Sequence, residues 1–227
     1  MAGKRLYKLN ENCFEEMSPE CAYWVGFIAA DGCISDVYNR TNLERLVITI
    51  TKSDSEHLLK LQEFMKSTHP LYESGNNGKT LQVCNRNVCG DLKKWGIKPR
   101  KSKLNYSFLD YIPEGYKDYF ICGYFDGDGS IFLRDRWVKW KDKKYRYKYW
   151  HIKFISNYKT IENIKNHLVN SHGLSRRPSI QGFKNTKYAF ACCWVSQKDV
   201  KKFSEIYYRS PVKLDRKYVK FQEMTKM

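Results

Sequence analysis

The sequence predicts an α/β (α+β) protein made of two tandem αββαββα units, and three observations carry that prediction. WVGFIAADGCI at 24–34 and ICGYFDGDGSI at 121–131 match position by position, which sets Asp31 and Asp128 97 residues apart (128 − 31). The same succession of strand-like and helix-like segments follows each. With 227 residues, 42% of them hydrophobic and 15% aromatic, the chain can bury a core as one large domain or two small ones.

In the first copy, Ser18-Pro19-Glu20 supplies a cap, a proline for the first helical position and an acid for the first turn, so a helix starts there and ends at Gly32. Cys33 to Tyr38 and Leu43 to Thr51 read as strands. In the second, Leu46, Ile48 and Ile50 alternate with Val47, Thr49 and Thr51, the period of a half-buried strand. Ser53 or Asp54 then caps a helix with Leu58, Leu61 and Met65 on one side. Gly75-Asn76-Asn77-Gly78 marks a turn between strands at 71–74 and 79–84, and a short helix around Leu92 and Trp95 closes the copy. The Gly, Pro and charge content of 96–115 marks a connection, giving an N-terminal repeat over 1–100, a linker over 101–112 and a C-terminal repeat over 113–227. Helices in the second copy align Ile161, Ile164 and Leu168, and Val200, Phe203 and Ile206 or Tyr207.

Forty-one Lys and Arg against 24 Asp and Glu leave a formal net charge of +17, which points to a polyanion. No apolar run approaches the roughly 18 to 20 residues of a membrane-spanning helix, so nucleic acid is the expected partner and a membrane is not. The N-terminal stretch lacks an apolar signal region and the eight cysteines show no disulfide framework, which suggests a reducing, intracellular setting and structural cysteines. The five histidines, His57, His69, His151, His167 and His172, are scattered, and nothing in their spacing suggests zinc.

Both repeated helices end in Asp-Gly, where the macrodipole is negative and a carboxylate is disfavoured, so something positive is expected beside each. Gly26 with Ala30 and Gly123 with Gly127 lie four apart, which lets two helix backbones approach closely. Side-by-side packing would bring Asp31 and Asp128 together. Two like charges there raise a pKa or recruit a divalent cation, and hard oxygen donors suit Mg²⁺ and metal-assisted phosphodiester hydrolysis. For one copy, Asp-Gly reads as a plain helix end; its repetition changes that balance.

These residues resemble the nine-residue signature of the LAGLIDADG homing endonucleases, at 24–32 and 121–129, with Asp31 and Asp128 at the eighth place. The resemblance extends over nearly the whole chain and implies saddle-shaped antiparallel sheets related by a pseudo-two-fold axis. It also implies that the two aspartates and the carbonyls of Ala30 and Gly127 hold the metals, one site per DNA strand. The first copy departs at the sixth place, with Ala29 where the second has Asp126. That place is not a metal ligand in the family. A basic residue near each aspartate would stabilise charge on the phosphate. Lys52, just after the second strand, resembles the family's catalytic lysine; in the second copy the choice is Lys159, with Asn157 as its rival.

The resemblance implies sheets that lie in the major groove of double-stranded DNA. Nine Lys or Arg between 134 and 153, among them Arg134, Arg136, Lys139, Lys141 and Arg146, face only Asp135 and Asp142, with six aromatics interleaved. Such residues neutralise phosphates, while Arg, Asn and Gln read base edges. The analogous candidates are Asn39, Arg40, Arg45, Asn76, Asn77 and Lys79 in the first copy, and Arg176, Arg177, Gln181, Lys184 and Lys187 in the second. The offset from Lys52 to Lys159 exceeds the motif offset, so the second copy should have a longer first hairpin and the target should be asymmetric. The expected activity is Mg²⁺-dependent double-strand cleavage of a long site by a monomer, leaving short 3′ overhangs. An RNA-splicing maturase that binds intron RNA, or a DNA-binding protein that does not cut, is the alternative on the same fold.

Overall fold

The computed structural model describes residues 6–36, 43–101 and 106–226. Helix α1 (Pro19–Asp31) is followed by strands β1 (Gly32–Asp36) and β2 (Glu44–Thr51), helix α2 (Glu56–Phe64), strands β3 (Leu71–Ser74) and β4 (Gly78–Val83), and helix α3 (Arg86–Lys94). The second half repeats that order as α4 (Lys117–Asp128), β5 (Ser130–Trp140), β6 (Lys143–Ser156), α5 (Tyr158–His172), β7 (Gln181–Phe183), β8 (Thr186–Trp194) and α6 (Gln197–Arg209), and adds α7 (Asp215–Thr225). The C-terminal helix α7 was not among the expected elements. Two four-stranded antiparallel sheets result, ordered β1-β2-β4-β3 and β5-β6-β8-β7.

Local side-chain caps account for the starts of α1, α3 and α5. The Ser18 hydroxyl accepts from Cys21 N at 3.1 Å with Pro19 in the first turn, Asn85 accepts from Val88 N at 3.1 Å, and Asn157 accepts from Thr160 N at 2.9 Å. The expected cap of α2 differs. Lys52–Asp54 forms a short 3-10 turn before the helix, and Asp54 instead takes the Arg216 guanidinium on both oxygens, at 2.9 to 3.1 Å. A tertiary ion pair has replaced a local cap. The turn at Gly75–Asn77 takes Gly75 at φ +58°, a conformation suited to glycine.

The β2 alternation holds in register. Leu46 and Ile48 are fully buried against Val83 and Leu81 of β4, while Thr49 meets Thr80 on the other face, hydroxyl to hydroxyl at 2.8 Å. The apolar stripes of α2, α5 and α6 are buried as their spacing implies, including Leu58, Leu61, Met65, Ile161, Ile164, Leu168, Val200 and Phe203. Helices α1 and α4 show no such stripe, because both are enclosed on all sides: Cys21 to Ala29 and Phe120 to Asp126 are buried without a break. They are the two central helices, packed directly on each other.

Glycine makes that packing possible. A Cβ added at Gly26 would overlap the Phe120 carbonyl, and one at Gly123 would overlap the Tyr23 carbonyl, so the two backbones touch at reciprocal positions. All eight cysteines are free, and among the described residues no helix is long and apolar enough to cross a membrane.

Candidate active site

The crossing of α1 and α4 carries their C-terminal ends to the same place. A Cβ at Gly127 would stand 3.3 Å from Asp31 Oδ2, so the end of one helix lies against the carboxylate of the other. Two cavities flank the pair. One of about 430 Å³ is lined by Asp31, Gly127, Thr49, Thr51, Asp54, Asn77 and Arg216; the other, of about 370 Å³, by Asp128, Ala30, Lys101, Ser156, Asn157 and Tyr124. Each thus combines the aspartate of one motif with the residue preceding the aspartate of the other.

Asp31 and Asp128 are both exposed at the mouth of a cavity, with protein packed against the inner side of each carboxylate. Burial, then repulsion from Asp128, pushes Asp31 up to about 6, while Lys217, Lys101 and Arg216 oppose the shift. Burial also raises Asp128, opposed by Lys101 and by the Tyr124 hydroxyl, which donates to Asp128 Oδ2 at 3.2 Å. Two carboxylates reluctant to ionise, with main-chain oxygens nearby, form an all-oxygen donor set that fits a hard divalent cation.

The positive groups expected at these helix ends are Lys101 and Lys217. Lys101 Nζ donates to the Ala30 carbonyl at 3.0 Å, and Lys217 Nζ donates to the carbonyls of Phe125, Asp126 and Gly129, the last two at 2.7 Å. Ala30 and Asp126 belong to the last turns of α1 and α4, whose carbonyls a helix C-terminus leaves without helical partners, and cations there oppose the dipole. Burial lowers Lys101, and it brings Lys217 down to about 8. Neither lysine was among the sequence candidates. A signal was present: Arg100-Lys101 follows α3, and Arg216-Lys217 follows α6, so the same dipeptide trails the last helix common to both copies.

Lys52 and Lys159 stand elsewhere. Lys52 Nζ lies 3.8 Å from Glu73 and Lys159 Nζ 3.5 Å from Glu162, and neither lines the two cavities. Strand ends at Thr51 and Ser156 align Lys52 with Asn157 rather than Lys159. Asn157 does line the cavity of Asp128, while its side chain caps α5. Asp126, at the sixth place of the motif, serves packing: it accepts from Tyr23 Oη at 2.5 Å, Tyr207 Oη at 2.8 Å and Leu214 N at 2.8 Å. Tyr23 Oη in turn takes His57 Nε2 at 3.0 Å, and burial drops His57 to about 3, so that ring is neutral.

The DNA-binding candidates divide by strand face. Arg45 lies on the outward face of the first sheet, its guanidinium donating to Ser35 Oγ and Gln82 Oε1 at 3.3 and 3.2 Å. Asn76 and Asn77 form the β3–β4 turn at the other end of the sheet, next to Thr51, whereas Lys79 faces the opposite side and pairs with Glu73 at 2.6 Å. Asn39 and Arg40 fall outside the described residues. In the second sheet Arg134, Arg177 and Gln181 converge with Lys153 around a cavity of about 570 Å³, and Arg136 lies over the Tyr149 ring at 5.6 Å. Arg176 adjoins Arg177, exposed, in the loop before β7. Arg146 and Lys139 occupy the other face: Arg146 is held on Asp135 at 2.5 to 3.0 Å, and Lys139 pairs with Asp142 at 3.1 Å. Lys141 and Asp142, both at positive φ, make the hairpin tip, and Lys184 sits in the β7–β8 turn beside Lys187 on β8.

Comparison with solved structures agrees with this architecture. The crystal structure of the LAGLIDADG meganuclease I-AabMI bound to uncleaved DNA matches with a TM-score of 0.66 at 14% identity, covering 92% of this chain and 90% of that one. The I-SmaMI LAGLIDADG homing endonuclease bound to cleaved DNA matches with a TM-score of 0.65 at 13% identity, covering 93% and 88%. A structure of I-SmaMI on uncleaved target with calcium ions matches at 0.56 and 12%, covering 85% of each chain. No protein-family model matches the sequence, and no curated protein does. The chain has the fold of the LAGLIDADG homing endonucleases.

Proposed function

We propose that this protein is a site-specific DNA endonuclease that cuts both strands of a long asymmetric target as a monomer, using Mg²⁺ and leaving short 3′ overhangs. The observation that carries this reading is the pairing of Asp31 and Asp128 at the ends of two touching helices, each opening on its own cavity. The structural neighbours bound to uncleaved and cleaved DNA support it.

The residues that would hold the cation are Asp31, Asp128 and the carbonyls of Ala30 and Gly127. Bound there, a divalent cation supplies Lewis acidity and a water acidic enough to attack phosphorus at neutral pH. The chain's own residues position the phosphate. Lys101, held on the Ala30 carbonyl, places an ammonium beside the aspartates, where it opposes negative charge as the phosphate becomes pentacovalent. Arg216, fixed by Asp54, does the same in the cavity of Asp31. Thr49, Thr51, Ser156 and Asn157 offer polar groups along the cavity walls. Lys52 and Lys159 line neither cavity.

Incubating the protein and Mg²⁺ with a randomised DNA library tests the proposal. Enrichment of one cleaved sequence over an Asp31→Asn, Asp128→Asn control is expected, with either single variant nicking. Failure to enrich any sequence would overturn it.

A further inference from the structure

Two of the five histidines scattered in the sequence meet in space. His167 and His172 lie on the last turns of α5, and both Nε2 atoms converge on Oδ1 of Asp118, in the first turn of α4, at 2.8 and 2.7 Å. All three candidate ligand atoms lie within 4.8 Å of one another. The imidazole rings cross at 65° with centroids 5.7 Å apart.

Glu114 supplies the second observation. Its Oε1 lies 3.4 Å from His167 Nδ1, while its Oε2 is held by Lys117 at 2.6 Å. With Nδ1 facing Glu114, Nε2 is the nitrogen of His167 that faces the Asp118 carboxylate. A carboxylate fixing the outer nitrogen of a histidine is the usual support of a metal-bound imidazole. Arg209 stands on the other oxygen of Asp118, 3.7 Å from Oδ2, which leaves Oδ1 to the histidines.

Two imidazole nitrogens and one carboxylate oxygen, with solvent to complete the shell, are the donor set of an open tetrahedral Zn²⁺ site, and imidazole favours Zn²⁺ over Mg²⁺. The side chains of His167, His172 and Asp118 are 9%, 19% and 28% exposed, so the groups are fixed by packing yet reachable by an ion. We propose that Asp118, His167 and His172 form a Zn²⁺ site, separate from the aspartate pair, that pins the end of α5 to the start of α4. Glu114 orients His167 within it. The motif offset places Cys21 where Asp118 stands, so the clamp belongs to the second repeat alone.

Titrating the full-length Asp31→Asn, Asp128→Asn variant with Co²⁺ as a spectroscopic probe removes the paired aspartates from the question. One equivalent with visible d–d absorption is expected, displaced by Zn²⁺ and indifferent to excess Mg²⁺. His167→Gln or His172→Gln should weaken Co²⁺ at least tenfold and Glu114→Gln about tenfold, with circular dichroism checking the fold of each. In the unaltered chain, Zn²⁺ should shift the imidazole nitrogen resonances of both histidines, a measurement that needs no variant. Absent d–d absorption, or binding that survives the two histidine substitutions together and so belongs to exposed Cys33 or Cys84, overturns the proposal. Unshifted imidazole resonances do the same, leaving protons as the only bridge between the rings and Asp118.

Discussion

Asp31 ionises late because burial and the nearby Asp128 both oppose its charge, raising it to about 6. A folded value above the unfolded one, about 4, means that the protonated form favours folding. The contribution of this group to stability is complete below about pH 4 and is lost as pH rises through about 6. The metal-free chain should therefore weaken across that window, and Asp31→Asn should raise its melting temperature at pH 7.5 while shrinking the gain on adding Mg²⁺. A thermal scan at pH 4.5 and 7.5, with and without metal, measures both; an unchanged metal-free melting point at pH 7.5 would remove the argument. Lys101 acts on the same charges from the other side. Lys101→Met should cost about 10²-fold in cleavage rate, the usual effect of deleting a group that stabilises developing charge, with DNA affinity changed far less. A variant that loses affinity but not rate would make Lys101 a binding residue only.

At the scale of the element, the α1–α4 packing depends on two glycines at reciprocal positions, Gly26 under Phe120 and Gly123 under Tyr23. Alanine is the better helix former by about 1 kcal/mol, but here the obstructing atoms are main-chain carbonyls that cannot swing aside. Overpacking should win, and Gly123→Ala should destabilise by about 1–3 kcal/mol or more. Gly90, inside α3 with open space where its Cβ would be, is the control. Gly90→Ala should stabilise by up to about 1 kcal/mol. Urea denaturation of the two variants decides it, and equal effects would show that the two helices pack more loosely than described. The sequence showed the small residues of this interface plainly, since spacing four apart is local information. It did not show that α1 and α4 are buried on every side, because an unbroken apolar run has no face to read.

Over the whole molecule, a net charge of +17 is distributed unevenly between groups that are already paired and groups that are not. Arg134, Lys153 and Arg177 converge on the outward face of the second sheet, whereas Lys79 and Arg146 are committed to Glu73 and Asp135 on the opposite faces. Neutralising one fewer phosphate should lower the slope of log affinity against log salt by about 0.9. Arg177→Gln is expected to change that slope by roughly this amount, and Lys79→Gln to leave it nearly unchanged. Filter-binding isotherms across a range of salt check the pair; equal slopes for the two variants would discard the division by face. The asymmetry of the halves is also a property of the whole. Among the described residues the first hairpin has 5 and 8 residues in β1 and β2 against 11 and 14 in β5 and β6. It runs over Gly32–Thr51 where its counterpart runs over the longer Ser130–Ser156, so the two sheets present different lengths to a ligand.

The sequence by itself determined the repeat, the strand alternation, the helix stripes and the pair of aspartates at helix ends, because each is written in spacings of a few residues or in one internal match. Adjacency along the chain points to Lys52 and Lys159, which in the fold lie beside Glu73 and Glu162. Only the tertiary structure decided that Lys101, Lys217 and Arg216 supply the positive charge. Lys101 reaches Ala30 across 71 residues and Lys217 reaches Asp126 across 91. It likewise decided that His167 and His172 meet Asp118. Electrostatic partnership falls off with distance in space and is indifferent to distance along the chain, so charges that govern the site had to wait for the fold that gathers them.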